Sequence, residues 1–97
     1  RNKLGATPLM FAAQKNSQEI IDILIHAGAE INAQDSDGNT ALIYAASSND
    51  EYVVDALLDA GADKNIANSS GYKALDYAHR NYKLTDTNAL SRLEDDN

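Results

Sequence analysis

The sequence predicts an all-α fold, a solenoid of stacked antiparallel helix pairs joined by hairpin-like loops. Three observations carry that prediction. Gly5, Gly38 and Gly71 are 33 residues apart each time, and Leu9, Leu42, Leu75 and Ala12, Ala45, Ala78 keep the same interval. Short apolar segments with helical caps sit at fixed offsets inside each period. Turn residues then close each segment before the next begins. A fixed period of this length is the signature of a repeat architecture, in which each unit buries its apolar face only against a neighbour.

Within the first period, Thr7 is a natural N-cap, because its hydroxyl accepts from backbone amides that otherwise lack a partner. Pro8 follows at the first helical position, where a missing N–H is harmless. Leu9 to Gln14 makes a short helix that Asn16 ends. Ser17 caps a second helix, with Glu19 in its first turn where the helix dipole favours an anion. Ile20, Ile21, Ile23, Leu24 and Ile25 carry that helix, and Gly28 closes it. In the second period Thr40, Asn49, Asp50 and Gly61 take the same roles. The third period changes. Lys73 replaces the capping threonine, and Arg80 to Thr85 reads as a longer loop before a helix with Asp86 as N-cap. The repeats therefore run about 1–34, 35–67 and 68–97, all within one domain, the last being a degenerate cap.

Gly5-Ala6-Thr7-Pro8-Leu9, then Ala12-Ala13, then Ala27-Gly28-Ala29-Glu30-Ile31-Asn32 together resemble the ankyrin repeat. Asp35, Gly38, Thr40-Ala41-Leu42, Ala45-Ala46 and Ala60-Gly61-Ala62-Asp63 resemble it equally in the second period. The resemblance covers nearly the whole chain. It implies helix pairs stacked side by side into a curved row, with partners bound at the hairpin tips and on the exposed side of each first helix. The family usually has histidine after Thr-Pro-Leu, whereas Met10, Ile43 and Asp76 stand here, so the Thr–His bracing of that corner is absent.

The two ends of the row differ. The helix around Ile20 to Ile25 is apolar almost all round, as expected of one covered on both sides. The last helix interleaves Ser91, Arg92 and Glu94 with apolar residues, which suits a terminal capping repeat. Further repeats or a cap are thus expected before Arg1.

Composition excludes several functions. Eight basic against fifteen acidic residues give a net charge of -7, which disfavours nucleic acid and anionic membranes and favours a partner protein with a basic surface. There is no cysteine, so thiolate chemistry and Cys-ligated zinc are ruled out. The longest wholly apolar run, Ala41 to Ala46, is six residues, far short of a membrane span. The cytoplasm is the default location and a monomer the expected state.

Catalytic and metal chemistry find no support. His26 and His79 are the only imidazoles and lie 53 residues apart; His26 suits the dipole at a helix C-terminus, and His79 replaces a small residue of the repeat. Asp35-Ser36-Asp37-Gly38 fails the calcium-loop register, since Ala33 and Tyr44 fall on its first and last ligand positions. No nucleophile elbow or phosphate-cradling loop is present. Asn68-Ser69-Ser70 fits a glycosylation acceptor, while Asn32 and Asn65 lie where asparagine hydroxylases act on animal ankyrin proteins; turn bracing is the simpler role for Asn32 and Asn65. The expectation is a protein that is no enzyme and holds no cofactor or metal.

The resemblance carries the contact face onto Lys3, Leu4, Ala6, Met10, Gln14 and Lys15 in the first repeat. In the second it takes in Ser36, Asp37, Asn39, Ile43, Ser47 and Ser48, and in the third Ser69, Ser70, Tyr72, Asp76, Arg80 and Asn81. Of these, Leu4, Met10, Asp37, Asn39, Ile43, Tyr72, Asp76 and Arg80 form the candidate site, the apolar and aromatic ones as anchors. Phe11, Tyr44 and Tyr77 are assigned to the inter-repeat core. Two functions compete: a protein-interaction module, and a rigid structural segment of a larger, perhaps enzymatic, protein. Loss of partner capture on altering the contact face separates them, and an enzyme would instead gather titratable groups in a deep pocket.

Overall fold

The computed structural model describes residues 5–15, 18–48, 51–81, 84 and 87–94. Among them are six helices and no strand: α1 Pro8–Gln14, α2 Gln18–His26, α3 Ala41–Ser48, α4 Glu51–Asp59, α5 Ala74–Ala78 and α6 Asn88–Glu94. Consecutive helices pair, and the pairs stack. Inner helices run α1 on α3 on α5, and outer helices α2 on α4 on α6. One continuous core results, from Leu9 through Leu42 and Leu57 to Leu93.

Local chemistry explains where the inner helices begin. The Thr7 hydroxyl accepts the Met10 amide at 3.3 Å, and Thr40 accepts Ile43 at 3.2 Å. Lys73 has no such acceptor. There Asp76, at the third helical position, takes the Lys73 N–H at 2.8 Å. In α1 the Met10 sulfur stands in that role and accepts weakly from the Thr7 N–H at 3.4 Å. Thr87 caps α6 through the Leu90 amide at 3.2 Å, while Asp86, the cap expected from sequence, lies outside the described residues. Asn16, Ser17, Asn49 and Asp50 also lie outside them.

The third helical position of each inner helix faces the next repeat. Met10 and Ile43 are therefore buried, at 1% and 3% exposure, which corrects their assignment as exposed anchors. Asp76 occupies the same register at the trailing end and is exposed. Ala13 and Ala46 are likewise buried, and His79 at their register is exposed, 3.9 Å from Glu94. The chain changes apolar to polar where no described repeat follows. Arg92 locks the last helix back onto α4, its two guanidinium nitrogens each 2.9 Å from Asp55 and Asp59.

The leading side is the reverse. Ile20 and Ile23 are 50% and 65% exposed, and Phe11 is exposed as well. Their counterparts 33 residues on are Val53, fully buried at 0%, and Ala56 and Tyr44, both half-buried. Phe11 thus fills no core, and Tyr44 and Tyr77 do so only in part. Their register lies at the edge of the inner helices.

The hairpins are stapled to one another. Asn32 gives its amide to the Gly61 carbonyl at 3.2 Å and takes the Asp63 N–H at 2.7 Å. Gln34 bridges the Gly38 and Ala67 carbonyls, and the Ser69 N–H meets the Asp37 carbonyl at 2.9 Å. Gly38, at φ +80, lies so close to the third hairpin that an added Cβ would stand 2.9 Å from the Ser69 nitrogen. Gly61, at φ +100, has nothing within 4 Å of that position.

Two outcomes are expected in urea denaturation. Gly38→Ala combines positive-φ strain with backbone overlap and should cost about 2–4 kcal/mol, against about 1–2 kcal/mol for Gly61→Ala. Ile43→Ala should lose about 2–5 kcal/mol, the range of a buried cavity.

Candidate protein-interaction surface

A chain of polar side chains runs along the base of the second and third hairpins. Asp35 accepts the Asp37 and Asn39 amides on one carboxylate oxygen, at 3.0 and 2.9 Å, forming an Asx turn. Its other oxygen takes the Tyr44 hydroxyl proton. Both oxygens are thereby committed to the turn rather than presented to a cation.

The third repeat copies this arrangement with one change. Asn68 stands where Asp35 does, and its carbonyl oxygen accepts the Ser70 and Tyr72 amides, each at 3.0 Å. Backbone N–H groups only donate, so they fix which end of the amide is oxygen. Asn68 Nδ2 must then face the other way, and it donates to Asn39 Oδ1 at 2.9 Å and to the Tyr77 hydroxyl at 2.8 Å. Both its hydrogens are committed, so Asn68 is a brace and a poor glycosyl acceptor. Asn32 is braced in the same sense, as described above.

The candidate residues separate into groups. Leu4 lies outside the described residues. Met10 and Ile43 are core. Asp37 is exposed at its hairpin tip. Asn39 is half-buried and committed to Asn68 and to the Tyr44 hydroxyl, the latter at 3.5 Å. Tyr72, Asp76 and Arg80 meet around one hollow of about 280 Å³, which Tyr77 and His79 also line. Tyr72 is exposed and packs edge-on to Tyr77, ring centres 5.9 Å apart. Asn81, on the same stretch of chain, is instead buried and donates to the Ala46 carbonyl at 3.0 Å. Tyr77 is the lining residue that sequence reasoning assigned to the core. Asn68 in place of Asp35 was the signal for its polar role.

Elsewhere, His26 donates through Nδ1 to the Asp22 carbonyl at 2.7 Å in the last turn of α2. A second hollow, of about 390 Å³, opens between Pro8, Leu24 and Ala27 on the leading side. Among the described residues no group of three or more His, Cys, Asp or Glu side chains comes together as a metal site, and no helix is long and apolar enough to cross a membrane.

Burial and the bond to Asp35 both hold the Tyr44 phenol above its ordinary pKa of 10.0. A raised acid pKa means the native state binds the proton more tightly than the unfolded one. Its stabilisation is complete below pH 10 and is lost as pH climbs through the folded value. Absorbance titration at 295 nm should therefore show Tyr44 ionising late, with stability falling in the same range. Tyr44→Phe should remove that late step and cost about 1 kcal/mol.

Comparison with known proteins agrees with this architecture. The transient receptor potential cation channel subfamily V members 5 and 6 of Homo sapiens are each 60% identical to it over 35 residues. That stretch is 36% of this chain and only 5% of each channel. A family model described as ankyrin repeats, three copies, matches residues 9–90. With its helix pairs, alanine-lined inner helices and stapled hairpins, the chain belongs to the ankyrin-repeat family.

Proposed function

We propose that this chain binds a partner protein through its hairpin tips and the hollow beside α5. Ankyrin repeats are in general protein-interaction modules and a non-catalytic fold. The observation that carries the reading is the meeting of Tyr72, Asp76 and Arg80 around one hollow, with Tyr72 and Arg80 exposed. An aromatic ring and a guanidinium set side by side at a concavity form the usual core of an interface hot spot. Asp37 and the exposed Ser36, Ser69 and Ser70 extend the surface along the tips. The net charge of -7 adds a long-range preference for a partner whose surface is basic overall. Catalysis has no role in this reading.

A second reading has its own support. The exposed Phe11, Ile20 and Ile23 occupy registers whose counterparts are covered one repeat later. Such a face suits a structural segment stacked within a larger protein. The short match to long channel proteins is compatible with it.

One pair of variants decides between them, measured on a partner captured with the intact chain. Tyr72→Ala with Arg80→Ala should weaken binding at least about tenfold and leave the urea midpoint nearly unchanged. Ile20→Gln with Ile23→Gln should leave affinity intact. The reverse pattern would assign the chain a structural role. Charged replacements at Met10 or Ile43 are uninformative, because they bury a charge and unfold the protein.

A further inference from the structure

We infer that the hollow beside α5 receives an acidic side chain, aspartate or glutamate, from the partner protein; this rests on the binding reading above and names the chemistry of its anchor. Two copies of one arrangement differ between the second and third repeats. In the second repeat the Tyr44 hydroxyl donates to Asp35. In the third repeat Asn68 replaces that carboxylate, and its orientation is fixed by the two backbone amides it accepts. The Tyr77 hydroxyl consequently receives a hydrogen from Asn68 instead of giving one. Its own proton has no acceptor among the described residues.

Arg80 adds to the same deficit. Arg92 is held by Asp55 and Asp59, whereas the Arg80 guanidinium meets no carboxylate among the described residues. Tyr77, whose phenol proton is uncommitted, and Arg80, whose five-donor guanidinium is likewise uncommitted, both line one hollow. That is a surplus of donors, and the ligand that satisfies it is a pure acceptor. A carboxylate fits best, since it takes the guanidinium in paired fashion and still has lone pairs for the phenol.

The other charged groups there are compatible with this ligand. Asp76 is the one carboxylate lining the hollow, and one of its oxygens is fixed on the Lys73 amide at the start of α5. It precedes Arg80 by four residues, and Arg80 lies in the turn beyond the end of α5. His79 faces Glu94 instead. Tyr72, edge-on to Tyr77, offers an exposed ring to an apolar neighbour of the bound acid. A net acidic chain with a local donor-rich site is no contradiction. The long-range field sums all charges, but contact selectivity is set within a few ångströms.

Four peptides test this at low salt against the intact chain, read by the ¹⁵N shift of the Arg80 Nε. The probes are acetyl-Gly-Glu-Phe-Gly-amide, its glutamine and lysine analogues, and the glutamine analogue with a free terminal carboxylate. The glutamate probe should shift Arg80 saturably and bind at least tenfold more tightly than the glutamine probe. Arg80→Gln should abolish that difference, Arg80→Lys should keep part of it, and Tyr77→Phe should weaken the glutamate probe severalfold with the fold intact by circular dichroism. Equal response to glutamate and glutamine, tighter binding of lysine, a response confined to the terminal carboxylate, or no saturable shift would each overturn the inference. A captured partner that is weakened by Tyr72→Ala but indifferent to Arg80→Gln would sink the acidic anchor and leave the binding reading standing. A saturable glutamate response with no protein bound through this face would do the opposite.

Discussion

Everything in this molecule depends on how closely one inner helix lies against the next. α1, α3 and α5 are too short to hold themselves together in water, since a helix of one or two turns scarcely offsets its own nucleation. They persist because alanines at Ala12, Ala13, Ala45, Ala46, Ala74 and Ala78 let the backbones approach, all of them buried. Larger side chains, Leu9 and Met10 in one layer and Leu42 and Ile43 in the next, fill the remaining space. Close packing of this kind leaves no room for an unpaired polar group and no tolerance for a void. The outer helices then find their places, Ile21, Val54 and Leu57 completing the same core.

Much of this could be read from residues alone, and the failures have physical causes. The interval from Gly5 to Gly38 to Gly71 located every helix pair, and Thr7 and Thr40 gave the caps. Those are local signals, fixed by a hydroxyl and its own backbone. Facing is not local. Met10 and Ile43 sit on the inner helices beside exposed positions, and only the neighbouring repeat decides that they are covered. Phe11 erred the other way, since an aromatic ring looks like core until the surface meant to meet it is identified. Asp76 at the register of Met10 and Ile43 was the available clue, because a carboxylate cannot share a role with two buried side chains.

The candidate surface was legible in part for the same reason. Tyr72 and Arg80 were chosen by register and do meet around one hollow, together with Asp76. What sequence could not supply was the hydrogen-bond polarity of the Tyr77 hydroxyl, which is settled by two backbone amides acting on Asn68. The exchange of Asp35 for Asn68 looks conservative in a repeat alignment. It reverses the direction of a proton.

The stapling of the second hairpin to the third has a consequence for how this surface can change over evolutionary time. The Ser69 amide, the Asp37 carbonyl and the tight fit of Gly38 tie the length of one loop to that of its neighbour. An inserted or deleted residue in either loop would break the staple and pull the two tips out of step. Diversification along this rim is therefore confined to exchange of side chains at fixed stations, such as Ser36, Asp37, Ser69 and Ser70. Under the proposed binding role, new specificities would arise by relabelling the tips rather than by lengthening them.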